Sequence, residues 1–588
     1  MKSTGFRLLS GKSLYIIKSL YIIMCLVALS VISSSCNMDD ELPAVAKPVI
    51  EFDHADGIYS VVCGEELTLA PKVENGEGAE YVWTLDDEVI GREPQLTRRW
   101  TVAGEFYLLL TVRNAGGVDR EEVRVDVAAL LPPAISLSIA DDRLTLQKGT
   151  SYSFRPLIGN LQKGETAEVK WFVDGVEKAT GDEYTFEATD LGSFEVEIVV
   201  TGIGGEARRR VTVEVIDQLP ARISFVPLSL DYDAAVRYTI VGRPVALQLV
   251  TENVGDKIEW SVNGEKTETA GDCFIFTPQQ AGSYQVTASV AGAIAEMKVE
   301  VASSAAASSG ATAGATVKVL EWMPAPGQFI GETSSVGGMT DDILTHDQAC
   351  RWAEQRLAAN HFVSLGAWGG YLVMALDGSI SNSGAGYDFA IMGNAIPTSN
   401  EPGIVRVMQD VNGNGLPDDE WYELQGSDFD GAGVDRNYRA TYYRPAGSGM
   451  AVQWNDSRGA SGVIDYIGGT HNQPSYYPAW VAPNSYTLYG CRLPARNSQS
   501  PVTGFWTNEP FAWGYVDNLG SDLLQGGDTE SGMGQWVGFK ISNAVLPDGT
   551  PVSLSHIDFI MVQTAVMAGS GRLGELSTEV AGLKIISD

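Results

Sequence analysis

The feature of this sequence that most constrains its fold is a threefold internal repeat. Trp83, Trp171 and Trp260 each lie in a short apolar segment that leads into a tight turn, at intervals of 88 and 89 residues. In the second copy the turn is Asp174-Gly175, a dipeptide typical of two-residue hairpins. A later segment of each copy begins with Gly-x-Phe or Gly-x-Tyr and then alternates apolar and polar residues, as a half-buried strand does. The repeat therefore predicts three successive β-sandwiches with tryptophan in each core.

The repeats and a change of composition after them divide the chain into modules. The three copies resemble PKD or bacterial immunoglobulin-like domains and are predicted at residues 45–127, 132–216 and 219–301. Residues 302–316 consist only of Ala, Ser, Gly and Thr, which cannot build a core and predict a flexible linker. This linker would separate a stalk of three modules from a head at residues 317–588. We therefore expect the head to bind its ligand without help from the stalk.

The head is predicted to be a large antiparallel β-sandwich with one short helix. It contains 9 of the 13 Trp and 12 of the 22 Tyr, and short apolar segments alternate with turns along most of its length. Thr345 and Gln348 have the spacing of a helix capping box, and residues 349–357 follow without Gly or Pro. The expected fold class is all-β, with three tandem sandwiches followed by a larger, jelly-roll-like sandwich.

The N-terminal residues resemble a bacterial lipoprotein signal. Basic residues precede an apolar run at residues 20–32, which at 13 residues is too short to span a bilayer but suits a signal sequence. Small residues then precede Cys36, although Ser33 replaces the usual aliphatic residue, and acidic residues 39–41 resemble an export tag. We predict a signal peptide at residues 1–35, lipidation of Cys36, and a surface-exposed chain held in the outer membrane only by its lipid anchor. An ordinary secretory signal is the alternative.

Charge and cysteine content exclude several classes of partner and site. The chain has 40 basic and 74 acidic residues, a net charge of −34, so nucleic acid and anionic lipid should repel it. Cys63, Cys273, Cys350 and Cys491 show no CxxC spacing, which argues against a thiol-rich metal site. A Cys350–Cys491 disulfide and two buried free thiols both fit an exported protein.

The motif with the most specific chemistry is an oxygen-rich loop in the head. Side-chain oxygens at loop positions 1, 3, 5 and 9, with glycine at position 6, match an EF-hand-type calcium loop. Trp421 occupies position 12 in place of the bidentate Glu, so a further ligand must come from a neighbouring residue or from elsewhere. The alternative is a solvated turn rich in Asp and Asn. The predicted calcium ligands are Asp410, Asn412, Asn414, the carbonyl of Leu416, Asp418, and Asp419 or Glu420.

Two loops of the head, at residues 471–480 and 506–518, combine aromatic rings with amides. Exposed rings offer rigid contact area to sugars or flat organic ligands, and loops rather than strands carry binding residues. We expect these loops to meet at one end of the sandwich and form a shallow site, with Trp454 and Tyr443 as the next aromatics to consider. Core packing is the alternative for each ring. The candidate ligand-binding residues are Tyr476, Tyr477, Trp480, Trp506, Trp513, Tyr515 and Asn518.

The sequence does not predict an enzyme. The four histidines of the head form no metal-binding pattern, and no nucleophile motif or phosphate-binding loop occurs. The acid pairs at residues 341–342 and 418–419 are the available candidates for glycoside hydrolysis, but both lie in turn or cap contexts.

The lipoprotein signal, the repeats and the head together resemble a group of Bacteroidota cell-surface lipoproteins. The resemblance covers most of residues 322–588 and is carried by FVSLGAWGGYLVMALDGSI, YDFAIMGNA, GIVRVMQDVNGNGLPDDEWYELQGSD, SYYPAW, GYVDN and GELSTEVAGLKI. Proteins of this group occur beside outer-membrane vitamin B12 uptake systems, and some look like surface lipoproteins that pass cobalamin to a TonB-dependent transporter. The resemblance implies capture of a nutrient, with cobalamin as the leading ligand, but it identifies no contact residues. The aromatic content equally fits a glycan-binding or adhesive surface protein.

Overall fold

The computed structural model describes residues 45–586 except residues 55, 308, 313, 334–338, 341–342, 470 and 525–533. The predicted signal peptide, Cys36 and the acid pair at residues 341–342 lie outside the described residues. The chain divides into two compact units, one up to Leu130 and one from Leu131 onward. The described ranges consist mainly of strands, with a single α-helix, and this confirms the predicted all-β class. None of the helices in these ranges is long and apolar enough to cross a membrane.

Module 1 is a β-sandwich around one hydrophobic core. Its strands are β1 (Val49–Glu51), β2 (Ile58–Val62), β3 (Glu66–Leu69), β4 (Lys72–Glu74), β5 (Glu80–Leu85), β6 (Glu88–Gly91), β7 (Leu96–Arg99), β8 (Gly104–Asn114) and β9 (Gly117–Ala128). One sheet has the order β2-β9-β8-β5-β6, and the pairs β1–β4 and β3–β7 complete the sandwich. The entry strand β2 runs parallel to the last strand β9, while the other neighbours are antiparallel.

Modules 2 and 3 repeat this arrangement. The strands of module 2 are β10 (Ala134–Ser136), β11 (Arg143–Gln147), β12 (Ser151–Phe154), β13 (Leu157–Gly159), β14 (Glu168–Val173), β15 (Val176–Thr180), β16 (Tyr184–Glu187), β17 (Gly192–Gly202) and β18 (Gly205–Ile216), with a 3-10 turn at Ala140–Asp142. Those of module 3 are β19 (Arg222–Phe225), β20 (Val236–Ile240), β21 (Val245–Glu252), β22 (Glu259–Val262), β23 (Glu265–Lys266), β24 (Cys273–Phe276), β25 (Gly282–Val290) and β26 (Ala293–Ala302). Their main sheets are β11-β18-β17-β14-β15 and β20-β26-β25-β22-β23, again with a parallel entry strand.

The three repeated tryptophans are central core residues of their modules. Trp83, Trp171 and Trp260 are almost completely buried, and each indole Nε1 donates to a backbone carbonyl 2.8–3.0 Å away. The turn after the tryptophan strand of module 2 has positive φ at both central residues, 49° at Asp174 and 77° at Gly175, as a type I′ hairpin requires. The predicted role of the tryptophans as core residues is confirmed.

The head is a larger antiparallel sandwich with several sheets. Its elements are β27 (Val317–Met323), α1 (His346–Ala358), β28 (Val363–Ser364), β29 (Tyr371–Ser381), β30 (Phe389–Gly393), β31 (Gly403–Met408), β32 (Tyr422–Leu424), β33 (Asp435–Tyr443), β34 (Val452–Asp456), β35 (Ser461–Ile464), β36 (Ser485–Arg492), β37 (Asn497–Gln499), β38 (Trp506–Asn508), β39 (Gln535–Phe539), β40 (Ala544–Val545), β41 (His556–Thr564), β42 (Glu579–Val580) and β43 (Gly582–Ile585), with 3-10 turns at Ile541–Asn543 and Gly571–Leu573. The sheets have the orders β27-β29-β41-β31-β32-β40, β35-β34-β33-β36 and β39-β30-β43, and β28–β42 and β37–β38 are separate pairs.

Helix α1 begins at the predicted capping box. The Gln348 backbone N–H donates to Thr345 Oγ1 at 3.3 Å, and the Thr345 N–H donates to Gln348 Oε1 at 3.0 Å. Ala349, Ala353 and Leu357 bury one face of the helix in the main core of the head. The reciprocal bonds satisfy backbone donors that the first helical turn leaves unpaired, so this local prediction is confirmed.

The predicted flexible linker is instead fastened to the head where it is described. The Ala311 N–H donates to Ser379 O, the Ser379 N–H donates to Ser309 O, both at 2.8 Å, and Ala306 N–H donates to Val411 O at 3.2 Å. A side chain at Gly378 would place its Cβ 2.4 Å from Ser309 O, so the linker passes directly over this glycine. The small linker residues that predicted flexibility are also the ones that allow so close an approach to a sheet edge.

Module 3 is docked against the head, so the linker does not hold the two apart; whether the head binds its ligand without module 3 stays a prediction. The fully buried Glu321 on β27 accepts the backbone N–H groups of Leu230 and Asp231 at 3.2 and 3.1 Å. Tyr422 donates its hydroxyl to Pro244 O at 3.1 Å. Module 2 also contacts the head, because Ala446 N–H donates to a serine hydroxyl of β10 at 2.7 Å. Polar groups of module 3 and of the head are buried where the two meet, and they form their hydrogen bonds across this interface.

Candidate functional site

The oxygen-rich loop between β31 and β32 folds around the Asp410 carboxylate. Three loop backbone N–H groups donate to its two oxygens at 2.7–3.2 Å. The amides of Asn412 and Asn414 donate to the two oxygens of Asp418 at 3.1 and 2.9 Å, while the Leu416 N–H donates to Asn414 Oδ1 at 2.8 Å. The glycine at loop position 6 has a φ of 75°. Four of the predicted side chains are therefore held by hydrogen bonds within this one loop.

The two candidates for the additional calcium ligand point in different directions. Asp419 is fully buried, and its Oδ2 accepts the Val411 N–H at 3.0 Å, while its Oδ1 finds no hydrogen-bond partner among the residues that the structure describes. Burial, together with the neighbouring loop carboxylates, raises the pKa of Asp419 to about 8. Glu420 instead faces Arg237 of module 3 and accepts the Ala246 N–H. Of the two alternatives, Asp419 therefore bonds within the loop and Glu420 bonds to module 3, which favours Asp419 as the additional ligand.

The residues present fit a calcium ion in this loop. Calcium takes six to eight hard oxygens, and the loop offers carboxylate and amide oxygens with no nitrogen or sulfur ligand among them. A cation would also give the unpaired Asp419 Oδ1 a partner and remove the penalty of an isolated buried carboxylate.

The aromatic side chains of the loop at residues 471–480 lie in the core. Tyr476, Tyr477 and Trp480 are all buried, and the two tyrosine hydroxyls donate to backbone carbonyls. The Trp480 ring packs against Trp322 with a centroid distance of 4.9 Å. None of these three rings presents a face to solvent, so the alternative of core packing holds for each and the expectation of exposed rings is corrected. Their long-range partners, such as Trp322, are invisible to local sequence patterns.

The loop at residues 506–518 is divided between structural and exposed side chains. Asn518 holds it closed, since its Oδ1 accepts the Phe511 N–H at 2.7 Å and its Nδ2 donates to Phe511 O at 2.9 Å. Tyr515 is buried in a small core with Phe511, separate from the main core that holds the first loop. Trp513 is 36% exposed. The two predicted loops therefore do not form one shared site.

The structure instead presents apolar side chains on the β37–β38 hairpin. Val502 and Phe505 are 91% and 76% exposed, and Trp506 beside them is half-buried. Hydrogen bonds between Ser500 N–H and Phe505 O, at 2.9 Å, and between neighbouring backbone groups hold the turn closed. We call Val502, Phe505 and Trp506 the hairpin patch. The signal that could have identified it is a pair of apolar residues inside a Pro- and Gly-containing turn, where no core is within reach.

A small cavity of about 130 Å³ lies beside the hairpin patch. Segment 569–574, which we call the strap, separates the two, because Gly571 lines the cavity and a Cβ on it would lie 2.9 Å from Trp506 Nε1. Trp454 forms another wall and is only partly buried. Of the two further aromatics named from the sequence, Trp454 thus lines this cavity, whereas the buried Tyr443 lines a different one, between module 2 and the head.

Glu575 places a carboxyl group at the wall of this cavity. It is 6% exposed, its Oε1 accepts the Gln328 N–H at 2.8 Å, and its Oε2 has no hydrogen-bond partner within the described part of the chain. Burial raises the pKa of Glu575 to about 7. At neutral pH the group therefore holds a proton much of the time and is able to donate a hydrogen bond into the cavity.

A second cavity, of about 170 Å³, lies between module 3 and the head. Its walls include Arg237 and Gln248 from module 3, and Glu420, Tyr489 and Gln563 from the head. Its mixed polar and apolar lining suits a small molecule, and its size excludes a macrocycle.

A cysteine, a histidine and an aspartate come together where module 3 meets α1. His346 Nδ1 lies 2.8 Å from Asp231 Oδ2, and its Nε2 lies 3.4 Å from Cys350 Sγ. The Trp322 N–H also donates to that Nε2, at 3.3 Å. Cys350 is buried and lines neither of the two cavities described above. The arrangement therefore ties the interface together, and Cys350 and Cys491 are both free thiols rather than a disulfide.

Comparisons with known proteins identify a domain type in module 1. Residues 47–114 match the family described as PKD-like domain. No curated protein matches the chain. Among solved structures, it is similar to the titin I-band fragment I67–I69, with 13% identity, 44% of this chain and 99% of that chain covered, and a TM-score of 0.16. It is also similar to three N-terminal domains of the bacteriophage RB49 outer capsid protein Hoc, with 14% identity, 43% and 98% covered, and a TM-score of 0.21. TM-scores this low identify neither a relative nor a function, and the PKD-like match covers one module of the chain.

Proposed function

We propose that this chain is a cell-surface binding protein whose head captures a nutrient ligand at the hairpin patch. The observation that carries the proposal is the exposure of Val502 and Phe505 at the tip of one hydrogen-bonded hairpin. Apolar side chains held in water on a rigid element are typical of a binding surface. The PKD-like match at residues 47–114 supports a surface-exposed binding or adhesive role.

The ligand we propose is cobalamin, on the resemblance of the head sequence to surface lipoproteins of vitamin B12 uptake. A corrin ring is broad, flat and fringed with amides, so Phe505 and Trp506 would contact its face. The adjoining cavity of about 130 Å³ is too small for the macrocycle but accommodates one peripheral amide side chain. There the carboxyl of Glu575 and the backbone of the strap would supply hydrogen bonds.

A glycan is the second candidate ligand, and the cavity beside the strap is the observation that favours it. Its volume of about 130 Å³ and its walls of Trp454 and Asp465 suit a single sugar ring, which stacks on an indole and bonds to a carboxylate. The protein would then be a glycan-binding or adhesive surface protein that uses this cavity rather than the hairpin patch.

The proposal also includes the cellular location of the chain. The lipoprotein-like pattern at residues 1–36 supports attachment to the outer membrane through a lipid on Cys36, and transfer of the ligand to a TonB-dependent transporter would follow from that location.

We propose calcium as a structural ion in the loop of Asp410, where it would hold the connection between β31 and β32.

The test is a titration of the purified chain with cyanocobalamin, followed by its absorbance and by calorimetry. Phe505→Ala should weaken binding at least about thirtyfold, because truncating an aromatic anchor typically costs about 2 kcal/mol. The side chain is 76% exposed, so its removal should leave the fold unchanged. Trp513→Ala is the matched control, since it removes an exposed ring outside the patch.

The results of this titration distinguish between the candidate sites and between the candidate ligands. Loss of binding in Phe505→Ala alone supports the hairpin patch, and loss in Trp513→Ala alone would move the site to the loop predicted from sequence. Binding to a glycan array that is reduced by Trp454→Ala, without binding of cyanocobalamin, would select the second candidate. Unchanged binding of either ligand in all three variants would refute the patch.

A further inference from the structure

Three carboxylates that are far apart in sequence meet inside the head. Glu401, Asp517 and Glu579 each place an oxygen within 4.8 Å of the others. They come from the connection between β30 and β31, the connection between β38 and β39, and strand β42. Oxygens bound to a single Ca²⁺ ion at about 2.4 Å lie within the same range of one another.

One oxygen of this cluster has no partner. Glu579 is 2% exposed, and its Oε1 accepts no hydrogen bond among the described residues. Asp517, by contrast, is held by backbone donors, with the Asn394 N–H on Oδ1 at 2.9 Å and the Glu579 N–H on Oδ2 at 3.0 Å. The fold thus fixes one carboxylate firmly and leaves the Oε1 atom of a second one without a donor among the described residues.

No described basic side chain balances the charge of the cluster. Burial and repulsion within the cluster raise the pKa of Glu401 and of Glu579, and burial raises that of Asp517 to about 7. Carboxylates in this position either share protons or bind a cation. Glu401 as a residue is partly exposed, although burial is the largest cause of the raised pKa of its carboxyl group.

We propose that Glu401, Asp517 and Glu579 form a second divalent-cation site, selective for a hard ion such as Ca²⁺. The ligands are all oxygens, the unpaired Glu579 Oε1 would gain a partner, and the site is independent of the loop at Asp410. The ion would join three segments, one of which is strand β42 near the C-terminus. It would also steady the hairpin, because the neighbouring Asn400 donates through Nδ2 to Asn508 O on β38 at 2.8 Å.

The test counts calcium ions on the purified chain by equilibrium dialysis after removal of metal with a chelator. The parent should bind two ions per chain. The Glu579→Gln and Asp410→Ala variants should bind one each, and the variant that carries both substitutions should bind none. Glu401→Gln repeats the test at a second ligand of the cluster. Glu321→Gln is the matched control, since Glu321 is equally buried and also has an unpaired oxygen, but it belongs to no cluster of three carboxylates.

The results separate this site from the loop. A parent that binds one ion, lost in Asp410→Ala and kept in both Glu579→Gln and Glu401→Gln, would overturn the proposal and show that the cluster shares protons. One ion lost in the two Glu variants and kept in Asp410→Ala would support the cluster and reject the loop. The proposal would also be overturned if folded Glu579→Gln and Glu401→Gln variants both kept two ions. Loss of an ion in the control Glu321→Gln would overturn it as well.

Discussion

At the scale of single residues, the head is marked by buried carboxyl groups with one unpaired oxygen. Asp419, Glu575 and Glu579 share this property, and each lies at a different candidate site. An unpaired buried carboxylate costs free energy, so such groups are protonated, bound to a cation or used by a ligand. For Glu575 a bound proton is the simplest explanation, because burial raises the pKa of its carboxyl to about 7 and, among the described residues, it is not a member of the three-carboxylate cluster.

We predict that Glu575→Gln removes part of the pH dependence of stability. The folded pKa of about 7 lies above the ordinary value of 4.5, so the contribution to stability is complete below about pH 4.5 and is lost as pH rises through 7. From pH 5 to pH 8 the parent should lose stability that the variant keeps. The difference between their free energies of unfolding should therefore change by up to about 3 kcal/mol in favour of the variant. Urea unfolding in the presence of chelator measures this, and parallel pH profiles for the two proteins would contradict it.

At the scale of elements, one glycine decides how the linker runs. Gly378 on β29 has a φ of 107°, and its missing side chain leaves room for the linker at Ser309 and Ala311. The hydrogen bonds between residues 309–311 and Ser379 then extend the sheet edge by a short parallel bridge. An Ala- and Ser-rich segment without a core of its own thus becomes ordered by pairing with a preformed edge.

We predict that Gly378→Ala releases the linker. The new Cβ would lie 2.4 Å from Ser309 O and 2.8 Å from Ala311 N, which the backbone cannot accommodate without moving. Cleavage within residues 302–316 by elastase should become at least several times faster. Gly384→Ala is the control, because Gly384 also has positive φ but nothing within 4 Å of its Cβ position. Equal cleavage rates in the two variants would contradict the proposed role of Gly378.

At the scale of the unit that begins at Leu131, module 3 and the head share an interface of buried polar groups. Glu321 accepts two backbone N–H groups of module 3, and Asp231 pairs with His346 on α1. Removal of module 3 would leave the fully buried Glu321 without these donors and would expose its side of the interface to water. The head is therefore a dependent domain within this unit.

We predict that residues 317–588 alone are less stable than residues 131–588. The fragment loses the donors to Glu321 and the apolar contacts beneath module 3, so its melting temperature should fall by at least about 5 °C. Thermal unfolding followed by tryptophan fluorescence compares the two chains, and Glu321→Gln in the longer chain controls for the carboxyl group itself. The same melting temperature for both chains would show that the head is independent after all.

Local patterns in the sequence were enough for much of the fold. The spacing of Trp83, Trp171 and Trp260 identified three sandwich cores, and Asp174-Gly175 and the Thr345–Gln348 pair identified a hairpin turn and a helix start. Each of these depends on residues within a few positions of one another, where backbone geometry and periodicity act directly. The convergence of the loop residues around Asp410 is local in the same sense.

The sequence by itself determined the all-β class, the repeated core tryptophans and the local turns, because these follow from short-range periodicity and backbone preference. Only the tertiary structure decided which aromatic rings are exposed: Tyr476 and Trp480 enter the core, while Phe505 faces solvent. It also decided that Glu401 and Glu579, 178 residues apart, meet at one point. Burial and convergence depend on which distant strands pack together, and that information is spread over the whole chain rather than held in any segment of it.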